Sequence, residues 1–352
     1  MTRAEQVRTG IPSVTVVVPC YNYGHLLPGC LDSILRQPGV DVVAHVIDDA
    51  SPDGSGAVAE TIAASDPRIR VTVHKQNQGH IRTYNEGLTA ADTDYVVLLS
   101  ADDLLAPGAL GRATRLMEAH PRVGFVYGFS RYFDGQPPRP RRAPARARVE
   151  PGPRWIERRL RKATNTISSP EVVVRTSVQH AAGGYRTDLP HAGDLEMWLR
   201  LAAHGDVGIV TGPDQAYYRV HQASMSRTSF AAELSDLQQR HAAFEVFLAE
   251  PGESVPDKDA AARTMARVLA RTALWRAARL RMGGGDAGTA DAMADWALSV
   301  APEAKDSPEH RALEQAALRG RGALKDPAVA VLAVRRRAAV QWFWFSRRWR
   351  GV

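Results

Sequence analysis

The chain's 352 residues, 44% of them hydrophobic, are enough for a sizeable core. Its two cysteines, Cys20 and Cys30, exclude a disulfide-built scaffold and favour a reducing compartment. The formal charge of +7 gathers in two places: between Arg139 and Lys162, and at the end, where Arg335, Arg336, Arg337, Arg347, Arg348 and Arg350 follow Asp326 with no acid after it. No apolar run is long enough to span a bilayer, and the start lacks the apolar centre of a signal peptide, which predicts a cytoplasmic protein.

After a polar start over residues 1–10, Val14 to Val18 is a β-branched run that predicts a buried strand. Pro19-Cys20-Tyr21-Asn22-Tyr23-Gly24 turns the chain into a helix over about 26–36, with Leu27, Leu31, Ile34 and Leu35 at helical spacing. A second strand, Val42 to Ile47, ends in Asp48-Asp49-Ala50-Ser51-Pro52-Asp53-Gly54-Ser55, a turn suited to start the helix predicted over 57–64. The third strand, Ile69 to His74, leads through Asn77-Gln78-Gly79 to a helix carrying Ile81, Tyr84, Asn85 and Leu88. Tyr95 to Leu99 is an apolar run that stops abruptly at Ser100-Ala101-Asp102-Asp103. Alternating strands and helices predict an α/β fold with a mostly parallel central sheet, helices on both faces and its site at the carboxyl edge. Two adjacent carboxylates at that edge repel, so a divalent cation is the simplest partner for them.

Downstream, a helix over 109–119 and a strand over 124–133 continue the pattern. Residues 136–153, rich in Pro and Arg, read as an exposed loop. Glu171 to Arg175 reads as a short strand, Ala181 to Leu189 as a glycine-bearing loop, Asp194 to His204 as an amphipathic helix, and 207–210 and 216–220 as strands. From about Phe230 the composition turns to Ala, Arg and Leu with helical spacing. The division predicted is a domain over 1–228 that binds the ligand and a helical region over 229–352.

Tyr21-Asn22, Asp48-Asp49, Asn77 to Asn85 and Asp102-Asp103 would meet on one sheet edge, where a nucleotide needs partners for its base and charge neutralisation at its phosphates. Asp48 or Asp49 could accept from a base imide N–H, and Asp102 could ligate a metal. The first strand runs into PCYNYG, without the GxGxxG of a dinucleotide-dependent oxidoreductase, and no nucleic-acid-binding module is recognisable. Cys20 has nothing beside it to activate a thiolate.

The segments VTVVVPCYNYGHLLPGCLDSIL, VIDDASPDGS, NQGHIRTYNEGL and YVVLLSADDLLAPGAL, with the later GDLEMWLRLAAHG and YYRVHQASMS, resemble a family 2 glycosyltransferase of GT-A fold over about Ser13 to Ser226. The resemblance implies an inverting transfer of a sugar from a UDP- or dTDP-type donor to an acceptor hydroxyl, on a cell-envelope glycan, a lipid-linked sugar or a natural product. Pro19, Tyr21 and Asn22 would line the nucleotide pocket, Asp48 and Asp49 would contact the base, and Asn77, Gly79 and Asn85 would shape the floor. Ser100, Ala101 and Asp102 occupy the family's DXD position. Asp102, Asp103 and His221 would hold Mg2+ or Mn2+, and Asp194 would be the general base. Two departures stand out: Ser100 replaces the first acid of the motif, and Gly193 stands where the family often has an acid before its base. They motivate the alternative of a catalytically degenerate nucleotide-sugar or glycan-binding protein. Glu196 is assigned to burial or ion pairing, since positions two apart on a helix do not share a face. The final VRRRAAVQWFWFSRRWR interleaves Arg with aromatics, which suits a peripheral contact with an anionic membrane surface, a docking helix or a dimer contact.

Overall fold

The computed structural model describes residues 10–141, 143–221, 233–250 and 254–350, with side chains of the last helix up to Ser346. Strand β1 (Ser13–Cys20) is buried from Val14 to Val18, as a strand covered on both faces must be. It pairs in parallel with β2 (Asp41–Asp48) on one side and β4 (Tyr95–Leu98) on the other, and β2 pairs with β3 (Ile69–Val73). Helices α1 (Leu27–Leu35), α2 (Ser55–Ala63) and α3 (His80–Ala90) make the crossovers. The chain thus runs outward from β1 to β3, then returns to the other side of β1. That reversal opens a crevice at the carboxyl ends of β1 and β4, where sheets of this kind take their ligands.

The sheet has eight strands, in the order β3-β2-β1-β4-β9-β6-β10-β8, completed by β6 (Val123–Tyr127), β8 (Arg146–Glu150), β9 (Val173–Arg175) and β10 (Asp206–Thr211). Strand β9 runs against its neighbours, pairing antiparallel with both β4 and β6. A three-stranded sheet places β11 (Ala216–Arg219) between β5 (Leu104–Leu105) and β7 (Ser130–Phe133). The α/β fold with a parallel-rich central sheet is therefore as the alternating pattern predicts.

Three local expectations change. The strand over 124–133 is two strands in different sheets, broken at Gly128-Phe129. A side chain at Gly128 would meet the Val210 carbonyl at 2.9 Å and Gln215 Cγ at 2.2 Å, so only a bare backbone makes that corner. The loop over 136–153 is shorter: 146–150 is the sheet-edge strand β8 and helix α5 (Gly152–Lys162) follows. Arginines on an exposed edge hide a strand from a search for apolar alternation. Helix α6 (Thr176–Ala182) stands where no helix was predicted.

Along the chain two compact units interleave: the first holds residues up to 149, 167–187 and 204–220, the second 150–166, 188–203 and 221 onward. The boundary expected at 228/229 lies outside the described residues. The second unit contains α5, most of α7 (Gly193–His204), α8 (Glu233–Ala249), α9 (Lys258–Met282), α10 (Ala287–Val300), α11 (Pro308–Arg319) and α12 (Pro327–Arg350). Side-chain caps start four of these helices: Asp257 accepts from Ala260 N–H, Asp286 from Thr289 N–H, Ser307 from His310 N–H and Asp326 from Ala328 and Val329 N–H. The long α9 buries Ala270, Ala273, Ala277 and Ala278, small residues that let its neighbours approach closely. Among the described residues, no helix is long and apolar enough to cross a membrane.

Candidate functional site

The loops that follow β1 to β4 are laced together at the carboxyl edge. Ala101 N–H donates to the Pro19 carbonyl at 3.3 Å, Asp49 N–H to the Cys20 carbonyl at 2.9 Å, and His74 N–H to the Asp48 carbonyl at 2.9 Å. Side chains extend the lacing. Asn22, held at a φ of 63°, donates its N–H to Ser51 Oγ at 3.0 Å. Ser51 in turn donates its hydroxyl and its N–H to the two oxygens of Asp48, at 2.5 and 3.0 Å. Asp48, expected at the base, thus has a carboxylate that braces the turn, and it is buried. Ser55, bonded to Asp53, receives the Gly24 N–H at 2.7 Å.

Asp49 is the hub of the next loop. One of its oxygens accepts from His74 Nδ1 at 2.8 Å and from Gln78 N–H at 2.7 Å, while the other accepts from Gly79 N–H at 2.9 Å. The Asn77 amide reaches the Asp49 carbonyl at 3.1 Å. Burial pushes the Asp49 carboxyl up, but the His74 bond and the two N–H donors outweigh it and hold it below the usual carboxylate range. Hydrogen bonds to a charged group contribute roughly 1.5–3 kcal/mol each, so this cluster fixes the loop firmly. A carboxylate has about four acceptor sites, and three are taken here, which leaves one for an incoming N–H.

Behind Asp49, His74 Nε2 lies 2.8 Å from Glu86 Oε2. Both partners of the ring are carboxylates, so it satisfies them together as an imidazolium. Burial lowers the His74 pKa, but the bonds to Asp49 and Glu86 reverse the sign and leave it above the usual imidazole value. Asn85, expected at the floor, clamps a neighbouring loop: its amide donates to the Tyr185 carbonyl at 2.8 Å and accepts from the Tyr185 N–H at 2.6 Å. Gly184 makes that clamp fit, since a Cβ there would lie 2.6 Å from the Asn85 side chain.

At the end of β4 the two carboxylates part company. Asp102 is half-buried, whereas Asp103 is 2% exposed and accepts the Arg219 N–H from β11 at 2.8 Å. Burial, then the Asp102 charge, pushes the Asp103 carboxyl well above its usual range. Arg219 also donates from Nε to the Asp102 carbonyl at 2.9 Å and from Nη1 to the Gly135 carbonyl at 2.8 Å, with its guanidinium 4.5 Å from the Phe133 ring. Asp102 is therefore the member of the pair that solvent reaches, and Asp103 pins its loop from behind. Tyr23 lies close enough to both that burial and their charges raise its hydroxyl pKa to about 12. Tyr21 is 45% exposed on the same rim, with Asn22 and Asn77 exposed and Pro19, Gly79 and Ser100 half-buried.

Among the described residues no three His, Cys, Asp or Glu side chains form a ready-made metal cage. Cys20 is buried, and burial pushes its thiol up to about 11 against the lowering effect of its bonds to Ser55 and Tyr23. In the second unit, Asp194 is half-buried in the first turn of α7, while Glu196 is buried and bonded to Arg200 at 2.6 and 2.8 Å, the ion-paired role assigned to it. His221 follows β11 and is half-buried. Arg219, His74 and Ser51 escape a reading from residue types. The one signal for Arg219 is its place inside YYRVH.

The model of glycosyl transferase family 2 matches residues 15–181. The uncharacterized protein MT1568 of Mycobacterium tuberculosis (strain CDC 1551 / Oshkosh) is 30% identical over 266 residues, 68% of this chain and 77% of that one. Among solved structures, S. aureus TarS 1-349 in complex with UDP-GlcNAc superposes with a TM-score of 0.63 at 13% identity, over 88% of this chain and 91% of that one. The mannosyltransferase PcManGT from Pyrobaculum calidifontis, in complex with GDP-Man and Mn2+, gives a TM-score of 0.52 at 22% identity, over 92% of this chain and 87% of that one.

Proposed function

Since this chain belongs to glycosyl transferase family 2, we propose that it is an inverting transferase which moves a sugar from a nucleoside-diphosphate donor to an acceptor hydroxyl. The observation that carries the proposal is the laced rim of four strand-end loops at the sheet's point of reversal, with Asp102 reachable at its β4 end. The base of the donor lies against Tyr21 and Asn22, and the acceptor site left on Asp49 takes its N–H. UDP-type donors suit that contact, since uracil offers an imide N–H to a carboxylate. Asn77 and Gly79 hold the loop that presents Asp49, and Pro19 and Ser100-Ala101 complete the wall.

Asp102 would hold a divalent cation, with Asp103 fixing its loop, and His221 would supply a further ligand to the cation or the diphosphate. Bound Mg2+ or Mn2+ supplies charge neutralisation for the departing diphosphate. Ser100 brings a hydroxyl where the family motif has a charge, so the chain contributes one negative charge fewer to the site. Asp194 takes the proton of the acceptor hydroxyl as that oxygen attacks the anomeric carbon. A single displacement of this kind inverts the configuration.

The test is Asp194→Asn, assayed with a panel of nucleotide sugars and by titration of UDP with Mn2+. The expected outcome is a loss of transfer of about 10²- to 10⁴-fold with nucleotide affinity kept, the range for removing a general base. Turnover near wild type sinks the assignment of Asp194. Tight nucleotide binding by the wild type, with no transfer to any acceptor and no donor hydrolysis, sinks the proposed reaction.

A further inference from the structure

The last helix, α12, turns an apolar, arginine-flanked stripe to solvent. Its rotation is set from the inside: Val329 is 4% exposed, and Arg336 reaches Glu309 of α11 at 2.6 Å. At about 100° per residue, the positions opposite Arg336 are Val331, Val334, Ala338, Trp342 and Phe345, spaced three or four apart. All five are exposed, Val334 at 68%, Trp342 at 57% and Phe345 at 52%. Arg335 and Arg337, both exposed, stand on either side of the stripe. The packing therefore sorts three consecutive arginines, half-burying one in an ion pair and leaving two exposed on the flanks of the stripe.

We propose that this face binds the surface of an anionic lipid bilayer, with α12 lying in the interface plane. Trp and Phe sit at the boundary of headgroups and acyl chains, while flanking arginines reach the lipid phosphates. Charge decides between a bilayer and a second copy of this helix. After Asp326 the sequence has six arginines and no acid, so two such helices face to face would set like charges together with nothing to pair them. An anionic surface supplies a partner to the arginines that flank the stripe. The proposal is independent of the transfer reaction, because its test uses neither donor nor acceptor.

The experiment is sedimentation of the full chain with vesicles of phosphatidylcholine alone, and with vesicles containing phosphatidylglycerol as well. The wild type is expected to partition onto the anionic vesicles, to leave the neutral ones, and to be released by high salt. Trp342→Ser/Phe345→Ser is expected to lower the partition at least tenfold, and Arg335→Gln/Arg337→Gln by about 25-fold, from roughly fivefold per arginine. These side chains are exposed, so each variant should keep the wild-type unfolding midpoint. Equal partition onto neutral and anionic vesicles, or no salt dependence in the wild type, overturns the proposal without recourse to any variant. It is also overturned if the wild type ignores vesicles and Trp342→Ser/Phe345→Ser turns a dimer into a monomer in sedimentation velocity.

Discussion

His74 sits between Asp49 and Glu86, and the three side chains make the base-side loop sensitive to pH. The folded protein raises the His74 pKa, so its contribution to stability is complete below the ordinary imidazole value of about 6.5 and is lost as pH rises through the raised value. Asp49 has the opposite sign: its pKa is lowered, so its contribution holds above about 3.9 and fades as pH falls through the lowered value. Between those limits the loop is held by a charged network. His74→Gln can donate one bond and carry no charge, so its deficit in unfolding midpoint is expected to be largest near pH 6 and to shrink towards pH 9. Calorimetry across that range checks it, and a deficit that does not change with pH rules out the imidazolium. At this scale the sequence was legible for Glu196, whose place two residues beyond Asp194 on a helix pointed to the buried ion pair it makes with Arg200. It was silent on His74, because a histidine between two carboxylates is created by the pairing of β2, β3 and α3 and leaves no local pattern.

Helix α3 packs so closely on the sheet that Gly87 has no room for a methyl group. A Cβ there would lie 2.2 Å from Val17 Cγ1 and 3.0 Å from Ile47 Cδ1. Gly87→Ala gains about 1 kcal/mol in helix propensity, against roughly 1–3 kcal/mol for overpacking. Clash prevails on this accounting, and a net loss of up to about 2 kcal/mol is expected in urea unfolding, with the midpoint lowered and the slope unchanged. A variant as stable as wild type would place α3 further from β1. The elements themselves were well marked where one physical signal dominated. β-branched runs gave β1 and β4, and apolar spacing gave α4 (Ala109–Ala119) at its observed limits. Signals failed where tertiary contacts decide: β8 is polar and lies at an edge, and the break between β6 and β7 answers to Gln215 and Val210, which are far away in sequence.

Across the second unit, one buried carboxylate ties three helices. Glu309 of α11 is 1% exposed and accepts from Arg271 of α9 at 2.8 and 3.2 Å and from Arg336 of α12 at 2.6 Å. Burial raises its pKa, but the two arginines outweigh that and hold it below the usual value. Arg271→Met/Arg336→Met leaves the carboxylate buried and unpaired, with an expected cost of roughly 3–5 kcal/mol, whereas adding Glu309→Met should recover most of it. Chemical denaturation of the double and triple variants checks this, and a triple variant no more stable than the double would show that packing matters more than charge. Such a network was invisible in the sequence, where Arg271 and Arg336 look like two of many solvated arginines. The interleaving of the units was hidden as well, since composition changes once, near Phe230, while the chain passes between the units five times, around 149/150, 166/167, 187/188, 203/204 and 220/221. Those passages bear on inheritance. A recombination event with one crossover, wherever it falls between 150 and 220, gives at least one unit two parents, so one crossover cannot exchange either unit whole between relatives. A designer who wishes to graft a new helical unit has to transplant three segments at once.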